Sequence, residues 1–266
     1  MKFSNIKNSG LNLLFALCVL LLSSNAFAQE VVELNLPKSD IITVKLMFKN
    51  GSICDPVGKD GLTYLTANLV SEGGTKDKSS IEIKNFIYPM AASYYVVVDK
   101  EVSTFTFEFH KDFSNSFYSI LKGLMLTPRF DEADFKRLKS NQQNTVDEVI
   151  KSSSDEEYSK KALEDYLFQS TNYQHMVEGT SEGIKNISLE DVKNHYSKFF
   201  TAKNVTIGIA GNYSSDFLKK LKSDINNLPQ QAPTLPTPAK ARSPKGVQVE
   251  IVAKESALGS AIFMGF

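Results

Sequence analysis

The sequence predicts an α+β fold, an antiparallel-rich sheet packed with helices. Three observations predict it. Residues 102–110 alternate cleanly between apolar and polar, the mark of a strand with one buried face. Residues 61–73 switch to helical spacing, with Leu62, Leu65 and Leu69 in one stripe. The candidate elements run strands, helix, strands, helices, strand, helix, which is not a regular βαβ alternation.

The elements follow in order. Val31–Leu36 and Ile41–Phe48 are strand-like, with Pro37-Lys38-Ser39-Asp40 expected as the turn between them. Asn50-Gly51 and Asp55-Pro56 then Gly58 mark a loop. The helix from Gly61 is expected to stop at Gly73-Gly74. Ser79 and Ser80 can cap a short helix, Ile81–Phe86. Tyr94–Asp99 and Val102–His110 form strands around a turn at Lys100-Glu101, and Phe105, Phe107 and Phe109 share the face expected to be buried. A helix spans Phe113–Leu126 and ends at Pro128. Another starts at Asp131-Glu132 and runs to about Lys151. Ser152-Ser153-Ser154-Asp155 opens the next, to about Phe168. Ser188-Leu189-Glu190-Asp191 caps a helix to Phe200. Val205–Ala210 is a strand, and Ser214/Ser215 caps a helix over Asp216–Leu228.

Residues 1–28 read as a signal peptide. Lys2 and Lys7 precede an apolar run, Leu11–Leu22, and Ala26-Phe27-Ala28 is a small-x-small cleavage site. The run falls short of the ~20 residues that span a bilayer, so no stable membrane anchor is expected after cleavage. The expected location is the periplasm or cell exterior. Thirty basic and thirty acidic side chains cancel, which argues against a nucleic-acid platform. Removing 1–28 takes two lysines and no acids, leaving 28 against 30, a net charge of −2. Cys54 is then the sole cysteine, so no internal disulfide can form and the core must hold the fold. Its expected place is a small, buried or half-buried side chain beside a turn.

Residues 29–229 are expected as one domain. Pro229–Pro244 holds five of the nine prolines, and 230–246 reads as an extended linker. Val247–Val252 and Ala261–Phe266 are expected as the first strands of a truncated second domain. The alternative is a strand that completes the first domain's sheet.

The segment Gly61–Thr75, GLTYLTANLVSEGGT, follows Phe48-Lys49-Asn50-Gly51-Ser52 and Asp55-Pro56-Val57-Gly58-Lys59-Asp60. Together they resemble the start of the insulinase/pitrilysin family of zinc peptidases, the inverzincins, whose helix carries H-x-x-E-H. Four further stretches match in order. Leu126-Thr127-Pro128-Arg129-Phe130 precedes an acidic helix start. Gly179-Thr180-Ser181-Glu182-Gly183-Ile184 continues through Ile187-Ser188-Leu189-Glu190-Asp191-Val192. Asn204–Asn212 and Ala257–Gly265 close the set. The resemblance covers nearly the whole chain past residue 28. It implies a half-domain like that of the mitochondrial processing peptidase, followed by the start of a homologous second half.

In that motif two histidines one turn apart hold Zn²⁺, and the glutamate acts as base on the metal-bound water. Here those positions hold Tyr64, Ala67 and Asn68. A phenol and an amide are poor zinc ligands, and Ala67 cannot accept a proton. Glu148 falls near the family's third-ligand position, a remnant at most, and a solvated helix face is the plainer reading. No catalytic or metal-binding residue is therefore expected, and no cofactor in this chain. The resemblance implies zinc on an active homologous partner subunit, with extended peptides as substrates. Two rival readings remain: an active metallopeptidase with an atypical site using Glu148 and His110, His175 or His195, and an envelope adaptor that binds no peptide.

Overall fold

The computed structural model describes residues 30–148, 155–243, 245–253 and 259–265. The expected signal peptide, the Ser152–Ser154 cap and the end of the helix expected to reach Lys151 lie outside them.

Five strands form one sheet: β1 (Glu30–Asn35), β2 (Ile41–Phe48), β3 (Ser93–Val98), β4 (Ser103–His110) and β5 (Val205–Gly211). Their order is β1-β5-β2-β4-β3. β2–β4, β2–β5 and β3–β4 are antiparallel, and β1–β5 is parallel. β1 and β2, expected as neighbours, do not pair, because β5 lies between them. Leu36 N–H donates to the Gly211 carbonyl at 2.9 Å, so the Pro37–Asp40 turn arches over the end of β5. Gly211 makes that crossing possible. Its φ is +124°, and a Cβ there would sit 2.4 Å from the Ile41 carbonyl oxygen.

Among the described residues eight helices accompany the sheet: α1 (Leu62–Glu72), α2 (Ser80–Ile87), α3 (Ser114–Leu126), α4 (Glu132–Asn144), α5 (Asp155–Leu167), α6 (Ser181–Lys185), α7 (Leu189–Phe199) and α8 (Ser215–Ile225). Their starts are set by side chains that satisfy free backbone N–H groups. Ser79 with Glu82 and Ser188 with Asp191 form reciprocal capping boxes on α2 and α7. Asp131 accepts from Ala133 and Asp134 at the start of α4.

The alternation of β4 is realised as expected. Phe105, Phe107 and Phe109 are buried beneath the helices, together with Phe48, Phe117 and Phe200. Phe109 stacks on Phe117 at 4.8 Å, and Phe217 tilts against Phe109 at 5.9 Å. Aromatic packing of this kind adds to the area already buried.

The strands expected at 247–252 and 261–266 are absent among the described residues there. Val247 is 94% exposed and Ile251 85%, and neither meets a strand edge. The tail instead runs beside α5. Arg242 N–H donates to the Leu167 carbonyl at 2.8 Å, and its guanidinium lies 5.1 Å from the Tyr166 ring. Lys160 Nζ sits 5.9 Å from the ring of Phe263. Apolar alternation alone does not make a strand without a partner edge to bond. Among the described residues no helix is long and apolar enough to cross a membrane.

Burial separates two substitutions. Phe105→Ala removes a ring from the centre of the core and is expected to cost about 3–5 kcal/mol. Val97→Ala, at an exposed point of β3, should cost less than about 1 kcal/mol. Urea unfolding of the two variants checks the difference.

Candidate functional site

Helix α1 carries the degenerate motif, and its surroundings decide what the motif can do. Eight of its eleven residues are buried. Tyr64, Asn68 and Glu72 are the half-buried remainder. Spaced four apart, they form one stripe along the helix.

The start of α1 is anchored by Asp55. This fully buried carboxylate accepts from Gly61 N–H at 2.6 Å, Thr63 N–H at 2.7 Å and the Thr63 hydroxyl at 2.6 Å. Burial pushes Asp55 up to about 6, and the Thr63 hydroxyl pulls it down against that. His195, on α7, donates from Nε2 to Asn50 Oδ1 at 3.1 Å and lies 3.0 Å from the Thr63 hydroxyl oxygen. Burial pushes His195 down to about 3, so it stays neutral at ordinary pH. Cys54 sits alongside, packed with Ile53 and Phe199 as expected of a small buried thiol. Burial pushes it up to about 11, which leaves it unreactive at neutral pH.

The loop before α6 closes over this end of α1. Gly61 and Gly179 lie back to back, both at φ +96°, and a Cβ on Gly179 would come within 2.3 Å of the Asp60 carbonyl oxygen. Gln142 on α4 stitches the two together, donating to Gly61 O at 3.0 Å and Glu178 O at 2.7 Å. The loop thereby brings the Glu178 carboxylate to bear on Tyr64. Burial raises the Tyr64 phenol, and the charges of Glu178 and Glu72 raise it further.

These groups do not fit zinc. The phenol is held protonated. The Asn68 amide spends a proton on the Tyr64 carbonyl at 2.8 Å. Ala67, at the general-base position, is 0% exposed and belongs to the main apolar core. Glu148 is exposed, in a π-turn after α4. The three histidines do not converge either, since His110 ends β4 while His175 and His195 sit near Asp55 and Thr63. Among the described residues no group of three or more His, Cys, Asp or Glu side chains could hold a metal.

Beside the stripe lies a cleft of about 350 Å³ between α1, α2 and β3. Asn68, Ser71, Glu72, Lys84, Ala92 and Tyr94 are among the residues that line it. Burial, then the Glu72 charge, raise Tyr94 to about 12. β3 is the last strand of the sheet, so its outer edge has no strand partner among the described residues.

The fold and the altered motif together can be set against known proteins. Residues 30–181 match the profile described as Insulinase (Peptidase family M16). The chain belongs to the M16 peptidase family. Residues 186–265 match the profile of the M16 inactive domain. That second match begins inside the first structural unit, because β5 lies within it and is paired between β1 and β2. A Helicobacter pylori (strain ATCC 700392 / 26695) protein named non-peptidase homolog YmxG is 28% identical over 189 residues, covering 70% of this chain and 43% of that protein. The crystal structure of an M16 inactive domain from Pseudomonas fluorescens superposes with a TM-score of 0.72 at 19% identity, over 84% of this chain and 53% of that one. A protease from Helicobacter pylori gives 0.71 at 17%, over 80% and 51%. The chain thus spans about half the length of the M16 relatives it matches.

Glu72 and Glu178 are the site residues that the motif did not reveal. Glu72 was within reach of the pattern, one turn beyond Asn68 on the same stripe. Glu178 sits in a loop, where no periodicity points to it.

Ala67→Glu is expected to destabilise the protein by at least about 2 kcal/mol, since it buries a carboxyl among apolar side chains. Tyr64→His with Asn68→His, on the half-buried stripe, should keep the wild-type fold and lose less than half as much. Thermal unfolding of the two variants compares them.

Proposed function

We propose that this M16 chain is an exported, non-catalytic subunit. It binds an extended peptide along the open edge of β3 and pairs with a zinc-bearing homologue that performs the cleavage. One observation carries the reading: among the described residues, a free strand edge and a cleft run beside a helix whose outward stripe holds a phenol and an amide where a histidine pair would bind zinc. An edge strand presents unpaired backbone N–H and C=O groups, so a peptide can add to it with little dependence on its side chains. The cleft beside Asn68 and Tyr94 would receive one of those side chains. The name of the Helicobacter relative, non-peptidase homolog, supports the loss of catalysis. Export rests on the leader-like residues 1–28. In this reading the chain itself carries no zinc, and the metal belongs to the partner.

An envelope adaptor that binds no peptide is the competing function. Titration of the purified chain with a fluorescent, unfolded peptide separates the two. Binding should saturate, and Ala92→Trp, which fills the cleft, should weaken it by about tenfold or more. No binding, or binding unchanged by Ala92→Trp, overturns the peptide role. Affinity capture from the native host, read by mass spectrometry, should return a homologue bearing H-x-x-E-H. Its absence with folded, full-length bait overturns the pairing. Near-stoichiometric zinc in the purified chain overturns the metal-free assignment.

A further inference from the structure

We propose that residues 247–252 of one copy of this chain add as a strand to the free edge of β3 on a second copy, with Glu250 placed against Lys84, so that two copies close as a reciprocal dimer. The inference shares with the peptide reading only the premise that the β3 edge accepts a strand. It names what fills that edge when no foreign peptide is present.

The register of the sheet fixes which groups of β3 are free. Asp99 N–H donates to the Val102 carbonyl at 2.8 Å across the turn. Opposite residues of an antiparallel pair alternate between bonded and non-bonded. Val98 lies opposite Ser103 and Val96 opposite Phe105, so Ser93, Tyr95 and Val97 bond to β4, and Tyr94, Val96 and Val98 turn their N–H and C=O groups outward. Those outward groups have no hydrogen-bond partner among the described residues. The side chains of Tyr94, Val96 and Val98 pack against the main core under the helices. Tyr95 and Val97 stand 47% and 56% exposed on the other face of the sheet.

The segment 247–252, VQVEIV, has the matching pattern. Extended, it places Val247, Val249 and Ile251 on one face and Gln248, Glu250 and Val252 on the other. Laid antiparallel on β3 with Glu250 opposite Val96, it sets Val252 opposite Tyr94 and Gln248 opposite Val98. All three outward residues are then bonded. Val249 and Ile251 continue the apolar surface of Val97 and Tyr95. Glu250 and Val252 turn to the helix side, where Ile87, Ala92 and Lys84 line the cleft. A slip of one residue would put the Glu250 carboxylate beside Tyr95 and Val97 instead.

Charge selects both the register and the edge. Lys84 is exposed and has no ion-pair partner among the described residues. The carboxylate already in the cleft, Glu72, lies 4.0 Å from Arg137. Lys84 is thus the cation left for Glu250. β1 is the sheet's other outer strand, and it carries Glu30 and Glu33, which repel Glu250.

Within one chain the strand and the edge stay apart. The tail is seated on α5, where Arg242 N–H bonds to the Leu167 carbonyl and the Tyr166 hydroxyl donates to Gln248 Oε1. Docking gives up that exposed Gln248 bond, worth little in water, for a ladder of backbone bonds. Each copy offers one open edge and one unpaired strand, so two copies satisfy both in a closed two-fold exchange.

Sedimentation of the purified full chain, with no peptide added, tests this. The wild type should pass from monomer to dimer between about 1 and 100 µM. Glu250→Pro removes the N–H at the middle of the added strand and should weaken the dimer by about tenfold or more. Residue 250 is exposed, so the body of the protein should fold as before. Glu250→Lys and Lys84→Glu should each weaken the dimer by about fivefold, and the double variant should recover most of that loss. A chain that stays monomeric to about 100 µM overturns the proposal, as does a dimer that survives Glu250→Pro. A double variant that recovers nothing overturns the placement of Glu250 against Lys84. The peptide role fails separately. A monomeric chain that binds foreign peptide loses only the dimer, and a dimer that binds none loses only the peptide role.

Discussion

A buried carboxylate at the end of a helix has to be fully bonded, and Asp55 meets that demand by accepting three hydrogen bonds from Gly61 and Thr63. Much follows from this. The bonds fix where α1 begins and how it is rotated, so that Leu62, Leu65 and Leu69 face one apolar cluster and Ala67 and Val70 face another. They leave one stripe, Tyr64, Asn68 and Glu72, for everything else. The Thr63 hydroxyl extends the network to His195 and Asn50 and ties α7 to the loop after β2. The helix is supported from below by phenylalanines and from its end by charge, and it has little freedom to turn.

That rigidity does not depend on a metal, and the M16 fold is built with Tyr64, Ala67 and Asn68 on α1. In an M16 enzyme the glutamate of the motif must be kept ionised among polar neighbours. Here its position holds a methyl group within the core, which packs without cost. The two former histidine positions lie on the accessible stripe, where a phenol and an amide are tolerated because they remain partly in contact with water. The scaffold, with a strand edge and a cleft beside α1, is built around these residues.

The sequence made the periodic parts of this molecule legible. The alternating face of β4, the stripe of α1 and the caps at Ser79, Asp131 and Ser188 all follow from local spacing, and the structure places them accordingly. What local spacing cannot carry is which strand lies beside which. The turn at Pro37–Asp40 was readable as a turn, yet it spans β5 rather than joining neighbours, because the partner comes from more than 160 residues later. The same limit hid Glu178, whose approach to Tyr64 depends on two glycines meeting across the fold. Residues 247–252 show the converse: they alternate as a strand does, yet they stay exposed and bond to no strand.

The insertion of β5 also orders events in time. Glu30 bonds across the sheet to Thr206, 176 positions further along the chain. Contacts of such separation form late, after the entropy of closing the loop has been met. A chain emerging from its N-terminus can form the β3–β4 hairpin from local contacts and bring β4 onto β2 before β5 exists. β1 must wait, and so must the outer edge of β2, until β5 arrives to fill the slot between them. Through most of synthesis the growing protein therefore carries β1 and the outer edge of β2 without the partner they later share. This interval is the one in which a binding chaperone has most to protect.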